Sequence, residues 1–238
     1  MLRSIGICLL AMSLTTSLNA APAGTRLHYL VRGPKVANAQ PPLLLLLHGV
    51  GSNEADLFSF ADQLPDEYLV VSARAPITLG PESYAWYQVD FSTGTPVFNA
   101  QQAEEARTTI IAFIGELAQE HAFDPHRVTI LGFSQGAIMA YSVALTRPDL
   151  VQHIAVMSGR LLEEVKPQVK PSADLKRLDI FISHGTQDGT LPVRHATEAD
   201  SYLRTLGITP KLKTWPEGHT ISAAMLADLV KWLETGIR

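Results

Sequence analysis

Cysteine is all but absent: Cys8 is the only one in 238 residues. This chain therefore has no intrachain disulfide, no set of cysteine metal ligands and, beyond residue 8, no thiol nucleophile. Glycosylation acceptors of the form N-x-S/T are missing as well. The net charge is -4 with no basic cluster, which sets nucleic-acid binding aside, because a phosphate backbone demands a positive stripe. Internal repeats, heptads and low-complexity tracts are also absent. The apolar run Ile5 to Leu14 falls well short of the roughly 20 residues that a bilayer span needs. What remains is near-average apolar and charged content, over a length that suits one α/β domain with a full core.

The first twenty residues stand apart from this average. Arg3 supplies a positive start, Ile5 to Leu14 a short apolar core, and Leu18-Asn19-Ala20 or Ala21-Pro22-Ala23 a small-residue exit. The pattern predicts a secretory signal over residues 1–20, cleaved near 20–23, and an exported mature domain over 24–238, periplasmic or secreted. Cys8 precedes most of the apolar core, which argues against a lipoprotein anchor. No stable membrane span is expected in the mature protein.

Along the rest of the chain, strand-like and helix-like segments alternate. Strands are expected at Arg26 to Arg32, Leu43 to Leu47, Tyr68 to Ala73, Val128 to Leu131, Ile154 to Met157, Leu178 to Ser183 and Lys211 to Trp215. Helices are expected at Asn53 to Leu64, capped by Ser52 or Asn53, then Ala100 to Glu120, Ala137 to Leu145 and Ile221 to Leu233. Pro167 and Pro171 mark an irregular connection within Glu163 to Asp174. Such alternation indicates crossover connections and a mostly parallel central sheet flanked by helices.

Gly132-Phe133-Ser134-Gln135-Gly136 follows the strand Val128 to Leu131 directly and opens a helix. This is the sequence form of a nucleophile elbow, a tight strand-to-helix turn that lifts a serine oxygen above the sheet. Side chains at the two glycines would collide with the turn. An elbow of this kind expects an acid and then a histidine further along the chain. Asp188 lies on the turn His184-Gly185-Thr186-Gln187-Asp188-Gly189 after one strand, and His219 on Pro216-Glu217-Gly218-His219 after the last. All three fall at the carboxyl ends of strands, the side on which active sites of open α/β sheets lie. Asp179 and Glu217 are the alternative acids.

From about Leu43 onward the chain resembles the phospholipase/carboxylesterase family of α/β-hydrolases, the group that includes acyl-protein thioesterases and small bacterial carboxylesterases. The residues that carry the resemblance are His48-Gly49-Val50-Gly51, Ala85-Trp86-Tyr87, Gly132-Phe133-Ser134-Gln135-Gly136, Ser158-Gly159, His184-Gly185-Thr186-Gln187-Asp188 and Gly218-His219. Family members often carry an aspartate after A-W-Y, where this chain has Gln88. The resemblance implies a single-domain α/β-hydrolase fold and a serine hydrolase.

The residue types then assign the chemistry. A serine hydroxyl needs a base within hydrogen-bond reach. An imidazole, with an ordinary pKa of about 6.5, takes that proton and returns it to the leaving group, and a carboxylate fixes its tautomer. Ser134, His219 and Asp188 are the expected nucleophile, base and acid. The amide of Gln135, next to the nucleophile, is one oxyanion donor, and the resemblance places the second at Val50. His48 is expected to support that loop rather than transfer a proton. Trp86 and Tyr87, with Tyr84, either build an apolar acyl pocket or close the edge of the core. His184 and Asp188 are spaced as a metal pair but lack a third ligand. No metal and no organic cofactor are called for. The expected reaction is hydrolysis of short- to medium-chain acyl esters, small-molecule or lipid-like, through an acyl-enzyme. A lysophospholipase or acyl thioesterase is the alternative enzyme, and a non-catalytic hydrolase-fold binding protein the alternative of a different class.

Overall fold

Five consecutive leucines, Leu43–Leu47, form a strand in which every side chain is buried. A strand can bury all its side chains only if both faces of its sheet are covered. Alternation divides them: Leu43, Leu45 and Leu47 enter one core cluster, and Leu44 and Leu46 the other. The computed structural model containing this strand describes residues 27–90, 92 and 97–236. The expected signal segment over 1–20 lies outside the described residues.

The strands in chain order are β1 (Tyr29–Arg32), β2 (Leu43–Leu47), β3 (Leu69–Ala73), β4 (Ile77–Gly80), β5 (Ser83–Ala85), β6 (Val89–Asp90), β7 (Val97–Phe98), β8 (Val128–Phe133), β9 (His153–Met157), β10 (Asp179–Gly185) and β11 (Lys211–Trp215). Seven of them build the central sheet in the order β1-β3-β2-β8-β9-β10-β11. All neighbours in it are parallel except β1, which runs antiparallel to β3. The pairs β4-β5 and β6-β7 are separate small hairpins.

The helices are α1 (Glu54–Phe58), α2 (Ala100–Glu120), α3 (Gln135–Thr146), α4 (Ala173–Arg177), α5 (Arg194–Thr205) and α6 (Ala223–Gly236). Asn99 caps α2 by accepting from the Gln102 amide at 3.1 Å. The helix buries Ala103, Ala106, Ile110, Phe113, Ile114 and Leu117 at helical spacing. Helix α3 follows Ser134 and is buried on every side from Gln135 to Leu145, so the Ser134 turn rests on the most enclosed helix of the domain.

Several boundaries differ from expectation. The helix expected over Asn53 to Leu64 ends at Phe58 and resumes as a short 3₁₀ turn, Ala61–Gln63. Ser59 bonds the Asp56 carbonyl at 2.6 Å, competing with helix propagation. Asn53, not Ser52, is the cap, accepting from the Ala55 amide at 2.9 Å. The proline-bearing connection contains a 3₁₀ segment, Glu163–Gln168, and then the short α4.

Candidate active site

The elbow places Ser134 directly beyond β8 with φ 52° and ψ -116°. This is a conformation that costs an ordinary residue about 1–3 kcal/mol and persists only where its surroundings enforce it. The Ser134 amide donates to the Met157 carbonyl at 2.9 Å, and its carbonyl accepts from Ile138 at 3.1 Å. The glycines are required by close approach. A Cβ on Gly132 would stand 2.3 Å from the Gly136 carbonyl oxygen, and one on Gly136 only 1.9 Å from that of Leu47. The first collision lies within the turn, as the sequence implies; the second is with the neighbouring strand. As the helix cap residue, Ser134 makes no side-chain capping bond, which leaves its hydroxyl to another partner.

That partner is His219. The Ser134 hydroxyl donates to His219 Nε2 at 2.9 Å, and His219 Nδ1 donates to Asp188 Oδ2 at 2.7 Å. The carboxylate accepts only, so Nδ1 carries the proton and Nε2 is free to receive one. Asp188 sits on a turn fixed by its other oxygen, Oδ1, which accepts from the Thr190 and Leu191 amides at 2.9 and 2.8 Å. Burial by itself would raise its pKa, but the bonds from His219, Leu191 and Thr190 outweigh it and hold the carboxyl below the ordinary range. Asp188 is thus an anion throughout the neutral range.

The loops carrying Asp188 and His219 are locked together beyond β10 and β11. Gln187 N donates to the Glu217 carbonyl at 2.9 Å. A Cβ on Gly185 would lie 2.2 Å from the same carbonyl oxygen, so only glycine permits this approach. The alternative acids fall elsewhere. Asp179 opens β10 at the far end and accepts from the Trp232 indole at 3.1 Å, while Glu217 contributes its backbone carbonyl to the loop contact. The His184 side chain is fully buried and donates from Nε2 to the Leu191 carbonyl at 2.6 Å, with Asp188 Oδ2 at 3.4 Å. It braces the Asp188 turn, a contact that spacing alone did not reveal. The half-buried Phe133 packs against the core and also sets its ring beside His219, centroid to centroid 4.9 Å.

The loop after β2 lies against Ser134. A Cβ on Gly49 would stand 3.3 Å from Ser134 Cβ. His48 is fully buried, and its tautomer follows from its partners: Nε2 accepts from the Ala75 amide at 3.0 Å, so Nδ1 donates to the Gly49 carbonyl at 2.7 Å. It supports the loop and does not reach the proton relay. The Ser52 amide also donates to the Gly49 carbonyl, at 3.3 Å, closing a turn around Val50. The Val50 amide takes no acceptor among the described residues, and the Gln135 amide is in the first helical turn, where none exists. Two unengaged donors therefore flank the serine.

Trp86 and Tyr87 do not line an open acyl pocket here. They are 0% and 1% exposed and belong to the main core cluster. Beyond that packing, their backbone groups and the Trp86 indole bond to residues beside Ser134. The Trp86 amide donates to Gln135 Oε1 at 2.7 Å, its indole donates to the His48 carbonyl at 3.0 Å, and the Tyr87 carbonyl accepts from Gln135 Nε2 at 2.7 Å. Gln88, in the position where an aspartate is frequent, is held by Gln102 at the start of α2 through bonds of 2.8 and 3.2 Å.

Burial lowers the pKa of both His48 and His153, which keeps them neutral in the folded state. An unfolded chain protonates histidine at about pH 6.5, so below that pH the unfolded state binds more protons and stability declines as pH falls. The melting temperature is expected to drop steadily from pH 7 to pH 5. A melting temperature constant across that range would contradict the neutral, buried assignment.

Residues 33–237 match the Phospholipase/Carboxylesterase family. The chain belongs to that family. The esterase YpfH of Escherichia coli is 28% identical over 185 residues, covering 76% of this chain and 75% of that protein. The carboxylesterase SOBER1 of Arabidopsis thaliana is 26% identical over 208 residues, 82% of this chain and 90% of that protein. Among solved structures, esterase PE8 superposes with a TM-score of 0.72 at 27% identity, covering 88% of this chain and 99% of that one. This phospholipase/carboxylesterase-family chain is accordingly an α/β-hydrolase and a carboxylic ester hydrolase acting on acyl esters. Among the described residues no helix is long and apolar enough to cross a membrane.

Proposed function

We propose that this esterase cleaves short- to medium-chain acyl esters through a covalent acyl-enzyme on Ser134. The observation that carries the reading is the continuous relay from Ser134 through His219 to Asp188, at 2.9 and 2.7 Å. Nε2 of His219 takes the hydroxyl proton as Ser134 Oγ adds to the ester carbonyl carbon. The resulting oxyanion is held by the amides of Gln135 and Val50. The imidazolium, stabilised by anionic Asp188, returns its proton to the departing alkoxide, and the acyl group stays on Ser134. Water activated by the same imidazole then releases the acid and regenerates the serine.

The leader pattern of the first twenty residues supports action outside the cytoplasm, where esters of small alcohols or lipids are met rather than acyl-CoA or acyl-protein thioesters. A lysophospholipase or thioesterase would use the same relay, and the family description, which names phospholipases, favours the former as the second reading.

Rapid mixing with p-nitrophenyl butyrate tests the acyl-enzyme directly. Acyl transfer before hydrolysis predicts a burst of about one p-nitrophenol per active chain, followed by slower turnover. Because a burst appears only when deacylation is the slower step, a second arm adds methanol as competing acceptor. Partitioning to methyl butyrate at a ratio independent of the leaving group establishes the shared intermediate; leaving-group-dependent partitioning excludes it.

A further inference from the structure

The two oxyanion donors stand on different loops, and the sheet does not fix their separation. The β2-β8 ladder ends at the pair Leu47 and Gly132. Beyond it, one chain turns into the Gly49–Ser52 loop and the other into the elbow. A Val50 amide displaced by a fraction of an ångström would miss an oxygen held by the Gln135 amide, since such donors act at about 2.7–3.1 Å. Something must tie the loops together past the ladder.

Buried hydrogen bonds form that tie. Gln135 extends its side chain, 3% exposed, onto a peptide segment 49 residues earlier. Its Oε1 accepts the Trp86 amide and its Nε2 donates to the Tyr87 carbonyl, both at 2.7 Å. This two-point clamp fixes where Trp86 sits. The Trp86 indole donates to the His48 carbonyl at 3.0 Å, and the His48 ring donates to the Gly49 carbonyl at 2.7 Å while accepting from Ala75 at 3.0 Å. Gly49 closes the turn that presents Val50. The circuit starts on the residue that supplies one donor and ends beside the residue that supplies the other.

We infer that the Gln135 side chain and the Trp86 indole are positioning groups that set the spacing between the two oxyanion donors. The inference rests on the proposed serine mechanism and adds to it a role for side chains that touch neither substrate nor the proton relay. It also gives a physical reason for the glutamine of G-F-S-Q-G and the tryptophan of A-W-Y to occur in one chain: the glutamine amide fixes the segment from which the indole reaches the His48 carbonyl.

Gln135→Met keeps the backbone donor and nearly the side-chain length but removes both clamp bonds; Trp86→Phe removes the indole donor together with part of the ring volume and leaves both clamp bonds in place. Both are compared with wild type on p-nitrophenyl butyrate, with active sites counted by fluorophosphonate titration. The spacing role predicts kcat per titrated site lower by about 10- to 100-fold in Gln135→Met and about tenfold in Trp86→Phe, with KM within twofold, because oxyanion contacts form only in the transition state. Affinity for phenylboronic acid, which becomes tetrahedral on the serine, should fall with kcat/KM. The double variant should lose less than the product of the single losses, since both cut one circuit. Unchanged kcat per titrated site, a loss confined to KM, or multiplicative losses would overturn the inference. If Gln135→Met does not fold, Trp86→Phe decides by the same kcat and boronate criteria. Failure of wild type to react with the fluorophosphonate would instead refute the underlying serine mechanism.

Discussion

Ser134→Ala is expected to lower kcat by about 10⁶-fold while leaving the fold in place. In the proposed mechanism the Ser134 oxygen is the atom that bonds to the acyl carbon, and among the described residues no thiol or second hydroxyl hydrogen-bonds to His219 to replace it. Stability should change little. Alanine has the same Cβ as serine, so the strain at φ 52° is unaltered, and the deleted hydrogen bond to His219 is worth about 1 kcal/mol. For a domain of this size that corresponds to a shift in melting temperature of about 2–4 °C. Steady-state turnover and thermal melts on the same preparation separate the two effects. Retained turnover would show that another group is the nucleophile, whereas lost turnover with a collapsed melt would mean that the serine is needed for folding.

The second large effect is expected for Asp188→Asn, with kcat lower by about 10⁴-fold. Its origin lies in the fixed orientation of the side chain. Oδ1 accepts two backbone amides, from Thr190 and Leu191, so the oxygen of an asparagine must stay there and its NH₂ must face His219. That NH₂ can only donate, which forces His219 Nδ1 to accept and moves the ring proton to Nε2. The histidine then points an N–H at Ser134 and cannot receive its proton. A kcat loss with an almost unchanged KM is the expected signature. Asp179→Asn, at the opposite end of β10, should remain within about twofold of wild type; a large loss there and none at Asp188 would reassign the acid.

The elbow was legible because its requirements are local. Glycines two residues before and after a serine, between an apolar strand and an apolar helix, leave few other geometries, and the collisions at Gly132 and Gly136 show why. The juxtaposition of Asp188 and His219 with Ser134 was legible from strand ends, since a parallel sheet brings carboxyl ends together whatever lies between. Trp86 and Tyr87 were readable only as pocket or core. Their partner, Gln135, is about fifty residues away, and spacing carries no record of that contact. Helix α5 escaped notice because polar and charged residues dominate Arg194–Thr205 and only Ala196, Ala199 and Leu203 are buried. The bracing contact of His184 was not legible, because a spacing of four does not show that Nε2 is bonded to the Leu191 carbonyl.

The most direct measurement is covalent labelling of the purified enzyme with a fluorophosphonate, followed by peptide mass spectrometry. The account predicts a single adduct on Ser134, formed by the folded wild type, lost after heat denaturation and absent from Ser134→Ala. A folded protein that takes no label, or takes it on another residue, would contradict the assignment of Ser134, His219 and Asp188 as an assembled hydrolytic site and favour a hydrolase fold used only for binding.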